Sequence, residues 1–456
     1  MARSWVSERP SSHSNLSRWS VKHLAREVIG RAKRKLLWDL RRSRFLKTLR
    51  HRANTALAKI KRVRFRNVTY IGVTGSCGKT TTCVFIKAVL LPGDAWRKGS
   101  SQNVAEAVRN VDRFNRYLVQ EISADKPGRL ARNIALLQPN VGVVTVIGSD
   151  HYKHYRGLEG VAREKAQLIE ALPATGIAVL NADDPNVLAM ASRTSARVVT
   201  YGRSPQAEVR AESVSSAFPK PLALVVTHGD ESAAIKTQFF GEHWVTAILA
   251  SIACGIACGR DLKSCAGAIE KVEPLPGRYS LHRTPSGVNF MLDTFKASYW
   301  TIASGLDFVK KAVSPRKTVI VGTISDYSGS ASPRYRRVAR DALAVADRVV
   351  FVGPHAAYVE KLKTGPDEDR LFAFMTSFQA SAFLEDAIAE ELIYVKGSAA
   401  TDHLERLMLA QIDQVVCWRE RCGIKGFCPK CLYYRKPKPP PLGLSQDKPA
   451  ELVTAL

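Results

Sequence analysis

The sequence predicts an α/β protein with two parallel-sheet domains behind a basic helical arm. Three observations carry this. Short apolar runs alternate with helical patterns from residue 67 onward, the alternation restarts near residue 275, and residues 1–66 hold 20 Lys and Arg against three acids. Strands that alternate with helices imply parallel pairing, because a crossover helix returns the chain to the same edge of the sheet. A chain of 456 residues has room for two or three such domains.

The arm, residues 1–66, comes first. In RAKRKLLWDLRRSRFLKTLRHRANTALAKIKRVRFR, Leu36, Leu37, Trp38, Leu40, Phe45, Leu46 and Leu49 recur at three- and four-residue steps between the charges. That spacing predicts an amphipathic helix. The net charge is +27, and about two-thirds of the excess lies in this arm. A basic amphipathic helix suits an anionic membrane surface or an acidic partner; the alternative is a solvated arm that docks on the body. Charge alone would permit nucleic acid, but no recognition module accompanies it, so nucleic acid is not expected. No uninterrupted apolar run of about 18 residues predicts a membrane span, and no apolar signal core follows the basic start. The nine cysteines are odd in number and show no pairing pattern. A cytoplasmic protein is expected, peripheral at the inner membrane face if the arm binds lipid.

The first domain, residues 67–274, offers VTYIGVTG, YLVQEIS, VGVVTVIG, GIAVLNAD and ARVVTYG as strands. Helical patterns lie between them, as in Thr80 to Leu91 and Gly160 to Leu172. Residues 205–240 read as shorter, more polar strands added in antiparallel fashion, and HWVTAILASIACGIACG reads as a helix rich in small residues. The second domain, residues 275–415, repeats the alternation with VNFMLDTF, KTVIVGTI, DRVVFVG and ELIYVKGS, a Rossmann-like pattern. Residues 416–456 hold four cysteines and then KPKPPPLG, which predicts extended chain.

Residues 71–82, IGVTGSCGKTTT, sit between the first strand and the first helix. Gly78, Lys79 and Thr80 fit the end of the common P-loop, while Val73 stands where its first glycine would be, between Gly72 and Gly75. Glycines allow the tight turn that aims amides at a helix N-terminus toward phosphate oxygens. The loop over Thr74, Gly75, Ser76, Cys77, Gly78, Lys79, Thr80 and Thr81 is therefore expected to bind ATP. Lys79 would hold the β- and γ-phosphates and Thr80 would ligate Mg²⁺. An ordinary glycine turn before a helix is the alternative.

The variant T-G-[ST]-x-G-K-[ST]-[ST] resembles the Mur ligase family of ATP-dependent amide synthetases. The resemblance can be followed through residues 67–410 and is closest in motifs to the tripeptide–D-alanyl-D-alanine ligase type. It implies a P-loop ATPase domain followed by a Rossmann-like domain, and a carboxylate activated as an acyl phosphate before an amine displaces phosphate. It implies that Glu121 in VQEIS binds Mg²⁺. It implies that His151, after Asp150 in VVTVIGSDHYKHY, and a carbamylated Lys165 in AREKAQLIEAL bind a second Mg²⁺. VLNADDP matches a family strand end. The resemblance further implies that LPGR brings Arg278 to the nucleotide at the entry to the C-terminal domain, and that Asp293 in MLDTFKAS grips the ribose. VKGS, followed by an acidic residue at Asp402 or Glu405, matches a family signature, which implies that Lys396 and Ser398 face the reaction centre or the amine; an ordinary strand-to-helix turn is the alternative.

The sequence also departs from the family. The adenine segment reads GEHWVTA, where Trp244 and Ala247 replace two asparagines; Trp244 is expected to stack on the base. The segment after Asp293 reads DTFKASY, with Phe295, Lys296 and Tyr299 at altered positions. Only the basic arm precedes the loop, so the usual UDP-sugar domain is not expected, and a polymeric, cell-wall-peptide or membrane-associated acceptor is. Two other readings stay open: a relative with altered catalysis that serves as a binding or scaffold protein, and another kind of P-loop ATPase. In the tail, Cys417, Cys422, Cys428 and Cys431 are spaced C-x4-C-x5-C-x2-C. Four thiolates can close a tetrahedral Zn²⁺ site or hold an iron–sulfur cluster; free thiols are the alternative.

Overall fold

The computed structural model describes residues 44–91, 93–94, 103–123, 126–149, 155, 157–420, 422–424, 426–431 and 434. The described part of the arm is one helix, α1 (Arg44–Arg64). Its last turns dock on the first domain. Arg62 is buried, lies 4.0 Å from the centre of the Tyr70 ring, and donates to the carbonyls of Leu137 and Gln138 at 2.9 and 2.8 Å. Those carbonyls end a helix, where a cation offsets the dipole. Lys61 Nζ donates to Val111 O at 3.1 Å, and Arg109 to Asn54 Oδ1 at 2.7 Å. The outward side of α1 is not purely polar, since Leu49, Leu57, Ile60 and Val63 are exposed there.

β1 (Thr69–Thr74) and α2 (Lys79–Leu90) follow, then α3 (Val104–Arg109), β2 (Tyr117–Glu121), α4 (Arg129–Leu137), β3 (Val141–Val144) and α5 (Leu158–Glu170). β4 (Ile177–Asn181), β5 (Arg197–Gly202), β6 (Val209–Ala217), β7 (Lys220–His228) and β8 (Glu231–Lys236) complete an eight-stranded sheet in the order β2-β1-β3-β4-β5-β6-β7-β8. β1 to β5 pair in parallel, with Ile71 opposite Val119 on one side and Val141 on the other; β6, β7 and β8 form the antiparallel addition expected over residues 205–240. Alternate residues of β1 enter different cores. Ile71 and Val73 pack with α2 and with α6 (Val245–Ala257), whereas Tyr70 packs with Leu130, Ile134 and Leu168 from α4 and α5. Burial on both faces explains why β1, β3 and β4 read as continuous apolar runs rather than alternating ones.

The second sheet comprises β9 (Ser280–Arg283), β10 (Asn289–Asp293), β11 (Lys317–Val321), β12 (Arg348–Val352), β13 (Leu371–Phe374) and β14 (Leu392–Lys396), in the order β13-β12-β11-β14-β10-β9. All pairs are parallel except β9 with β10. β14 returns between β10 and β11, which sets Asp293 beside Lys396 at the carboxyl ends. At the other end of β14 Glu391 is fully buried and both its oxygens are engaged, by Thr318 Oγ1 at 2.6 Å, Arg316 Nη2 at 2.6 Å and Arg348 Nη2 at 3.0 Å.

The carboxyl ends of the two sheets meet. Trp300, at the start of the helix Tyr299–Lys311, lies so close over Gly148 that a Cβ there would sit 2.8 Å from its ring. Lys311 reaches Glu242 at 2.9 Å across the same junction, and Arg203 meets the same carboxylate at 2.8 Å from its own side. These exposed bridges contribute little; the close, half-buried packing of Trp300 on Gly148 is the tighter contact. Ligands in open parallel sheets bind beyond the carboxyl ends of the strands, where the strand order reverses. β1 occupies that position, between β2 and β3.

Candidate active site

The turn after β1 is built from local constraints. Gly75 has φ +143°, and a Cβ there would collide with Thr145 Oγ1; Gly78 has φ +78°. Both positions therefore favour glycine. Thr145 Oγ1 donates to Cys77 O at 2.7 Å, and Ser76 Oγ exchanges hydrogen bonds with the Gly148 backbone. The loop is thus pinned by β3 before α2 begins, and the first amides of α2, which have no intrahelical acceptor, mark an anion site. Lys79 Nζ donates to Gly75 O at 2.8 Å and retains two further N–H donors. Thr80 Oγ1 donates to Glu121 Oε2 at 2.7 Å, so a hydroxyl and a carboxylate oxygen stand side by side at the mouth of the loop. That donor pair fits a hard divalent cation such as Mg²⁺.

The loop opens into a cleft of about 430 Å³ walled by both sheets. From the second sheet come Arg278, Asp293 and Lys396. Arg278 packs 3.7 Å over the Phe295 ring and reaches Thr80 Oγ1 at 3.4 Å. Burial lowers its pKa, opposed by the charge of Glu121. Asp293 Oδ2 accepts from Lys396 Nζ and, at 3.1 Å, from Tyr394 OH. Lys296, the residue that interrupts the family segment, pairs with Asp326 at 2.8 Å beside Ser298.

Of the expected site residues, Ser76, Cys77, Gly78, Lys79, Thr80, Thr81, Glu121, Trp244, Arg278, Asp293 and Lys396 line this cleft. Thr74 is fully buried with its hydroxyl donating to Ile122 O at 3.0 Å, and Gly75 offers its carbonyl to Lys79; both support the turn from behind. Lys165 is 2% exposed, on the inward face of α5 rather than the wet face an amphipathic helix usually gives a lysine. His151 lies outside the described residues. Ser398 is held in a turn, its amide donating to Asp402 Oδ2 at 2.9 Å. Asp402 also binds the Thr323 amide at 2.9 Å, and burial raises its pKa. In the tail, the structure groups Cys428 with His403 and Glu405, and Cys422 Sγ lies 3.1 Å from His403 Nε2.

Trp244 is 7% exposed and meets Phe239 and Tyr279 edge-on, at 5.4 and 6.1 Å between ring centres. Sequence reasoning passed over its neighbour, His243. Both ring nitrogens of His243 and the Trp244 Nε1 are buried beside the cleft without hydrogen-bond partners among the described residues. Burial, aided by the charge of Lys396, pushes the His243 pKa down to about 3, so the ring is neutral at pH 7 with one donor and one acceptor free. Unengaged buried polar atoms are costly, and here they fit the hydrogen-bonding edge of a nucleotide base. The signal was present in GEHWVTA, where the departures at Trp244 and Ala247 drew attention from the His.

Residues 73–255 match the Mur ligase middle domain. The chain is 30% identical over 353 residues to the UDP-N-acetylmuramoyl-tripeptide–D-alanyl-D-alanine ligase of Mycobacterium tuberculosis strain CDC 1551, a match covering 74% of this chain and 64% of that protein. It is 24% identical over 357 residues to the Escherichia coli K12 protein of the same name, covering 74% and 76%. Among solved structures, MurF from Acinetobacter baumannii aligns with a TM-score of 0.71 at 21% identity, covering 80% of this chain and 81% of that one. The MurF ligase of Thermotoga maritima in complex with ADP aligns with a TM-score of 0.66 at 19% identity, covering 79% and 82%. These structural likenesses establish the fold. The chain spans between 58% and 64% of the length of the four mycobacterial relatives.

Proposed function

Because this chain belongs, through its middle domain, to the Mur ligase family, we propose that it joins a carboxylate to an amine at the expense of ATP, through an acyl phosphate. The observation that carries this is the placement of the Lys79–Thr80–Glu121 group and the Arg278, Asp293 and Lys396 group on one cleft. ATP enters with its phosphates on the Gly75–Thr81 turn and its base toward His243 and Trp244. A carboxylate oxygen of the acceptor attacks the γ-phosphorus, the bond to the β–γ bridging oxygen breaks, and ADP leaves. The amine then attacks the acyl carbon, phosphate departs with the acyl–oxygen bond, and the nitrogen loses a proton. Lys79 and Arg278 stabilise charge where it develops on the transferring oxygens. Thr80 and Glu121 would hold one Mg²⁺, and His151 with carbamylated Lys165 a second; bound Mg²⁺ offsets phosphoryl charge. Asp293 and Lys396 orient the ribose and the incoming amine. The Trp300 contact keeps the two sheets together over the cleft and excludes water from the activated acyl group.

The acceptor is membrane-associated or polymeric. Support comes from α1, where the exposed Leu57, Ile60 and Val63 are flanked by the exposed Arg52, Lys59, Arg64 and Arg66. Phe114, 80% exposed under Arg113, lines the same hollow as Leu57 and Ile60. An apolar stripe rimmed by cations suits the anionic inner face of a membrane. Among the described residues no helix is long and apolar enough to cross one. The changed adenine segment favours a second reading, a nucleotide-binding scaffold that no longer turns over. An ADP-release screen separates the two: amino acids and ammonia against peptide, polymeric and lipid-linked carboxylates, with products read by mass spectrometry. Amide product with stoichiometric ADP is expected; bound ATP that never yields ADP in any combination would leave only the scaffold.

A further inference from the structure

One buried polar cluster takes no part in the proposed reaction. It lies where the tail folds back on the loop after β14. His403 is 2% exposed and Glu405 is fully buried. Glu405 Oε1 accepts the Cys428 amide at 3.0 Å and faces His403 Nδ1 at 3.4 Å, while its Oε2 is buried without a hydrogen-bond partner among the described residues. His403 Nε2 is 3.1 Å from Cys422 Sγ. Donor atoms of His403, Glu405 and Cys428 all lie within 4.8 Å of one another. The neighbouring Arg406 does not engage the carboxylate. Its guanidinium donates to the carbonyls of Asp402, His403, Cys417 and Arg419 at 3.0 to 3.1 Å. His403 and the Cys428 amide meet Oε1, and it is Oε2 that is left for a cation.

We propose that His403, Glu405, Cys422 and Cys428 form a Zn²⁺ site that clips the tail to the second sheet. Zn²⁺ takes sulfur, imidazole and carboxylate ligands in a tetrahedron at about 2.0–2.3 Å, which sets donors about 3.3–3.8 Å apart. Donors of His403, Glu405 and Cys428 lie within 4.8 Å of one another, and Cys422 Sγ meets Nε2 while Glu405 Oε1 faces Nδ1, so closing the tetrahedron requires the His403 ring and the Glu405 carboxylate to turn. Two thiolates and an imidazole select Zn²⁺ over Mg²⁺ or Ca²⁺, and two thiolates are too few for the usual iron–sulfur cluster. Binding releases the two thiol protons to solvent. The ion joins two segments: Cys422 and Cys428 from the tail, and His403 and Glu405 from the loop that carries Asp402. Asp402 in turn holds the Ser398 and Thr323 amides. The clip therefore steadies the loop that leaves Lys396. It stands whether or not the ligase reading holds.

Full-length protein, equilibrated with Zn²⁺, passed through metal-free buffer and assayed by mass spectrometry of the metal, is expected to keep about one Zn²⁺ per chain. His403→Ala, Cys422→Ser and Cys428→Ser should each lose it, whereas Cys417→Ser and Cys431→Ser should keep it. Failure of the wild type to retain Zn²⁺ overturns the site, as does equal loss in Cys417→Ser or Cys431→Ser, which would assign the ion to the four cysteines instead. A ligand variant can also fail by misfolding, so Co²⁺ titration of the wild-type chain gives a second count. Thiolate-to-metal charge-transfer intensity matching two sulfurs, calibrated on peptides with two and four, supports the assignment, and intensity matching four refutes it.

Discussion

β14 has a buried ion pair at each end, and the two are built on opposite plans. At its amino end Glu391 is closed in. Two arginines, a threonine hydroxyl and the Ile388 amide at 3.1 Å engage its two oxygens, and the Phe383 ring lies 5.0 Å from Arg348. At its carboxyl end the Lys396–Asp293 pair faces the cleft, near the unengaged nitrogens of His243 and Trp244. Charges of similar chemistry serve different ends. A fully satisfied network specifies shape, and an open one leaves groups available for a ligand.

If that contrast is right, substitutions at the two places separate activity from stability. The largest effect belongs to the cleft: Lys79→Ala should lower ADP formation by at least about a hundredfold with an unchanged melting temperature. ADP formation that survives would remove the loop from the reaction. Glu121→Gln comes next. The Mg²⁺ concentration for half-maximal ADP formation should rise at least about tenfold, the smaller of the effects seen even for groups that only support a metal ligand. At the closed end, Glu391→Ala removes the buried carboxylate that meets the buried Arg348 and the half-buried Arg316; it should cost about 3 kcal/mol in urea unfolding, while turnover per folded molecule stays near wild type.

His243 gives a smaller effect on stability, with a definite sign. Its folded pKa of about 3 lies below the unfolded value of about 6.5. Between those values the unfolded chain binds the extra proton, so stability falls as pH falls through that window, by up to about 1.4 kcal/mol per pH unit. His243→Gln should flatten the slope of unfolding free energy between pH 6.5 and 5, and an unaltered slope would show the ring to be solvated. The smallest change in stability is expected for Leu57→Glu with Ile60→Glu on α1, within about 0.5 kcal/mol per site. That pair should still abolish sedimentation with anionic liposomes; undiminished sedimentation would take the outward stripe of α1 out of membrane binding.

The reach of sequence reasoning follows the same division. IGVTGSCGKTTT announced its own turn because glycine φ angles, helix-start amides and the Lys–Thr pair are properties of twelve adjacent residues. Glu121 stood out only through the family resemblance, since a Glu at a strand end is by itself a weak signal, and the structure sets it against Thr80. The burial of Lys165 was not visible, since an amphipathic pattern says which stripe is apolar but not how deep a lysine at its border sits. His243 was passed over because a lone His carries no signal until its ring is seen without partners. Trp300 against Gly148 joins two domains, and no local pattern encodes that contact. The tail cysteines suggested a metal, but His403 and Glu405, 19 and 17 residues before Cys422, enter only once the chain turns back on itself.

Alternation of periods two and 3.6, the glycine turn and the charge of the arm were enough to set the α/β class, the two sheets and the place of the glycine turn between β1 and α2, because each depends on near neighbours along the chain. The pairing of Asp293 with Lys396, the neutral ring of His243 and the grouping of Cys422 and Cys428 with His403 waited on the fold. Strand order, such as the return of β14 between β10 and β11, is chosen by packing among residues far apart in sequence. Only that packing removes water and brings the charges within reach of one another.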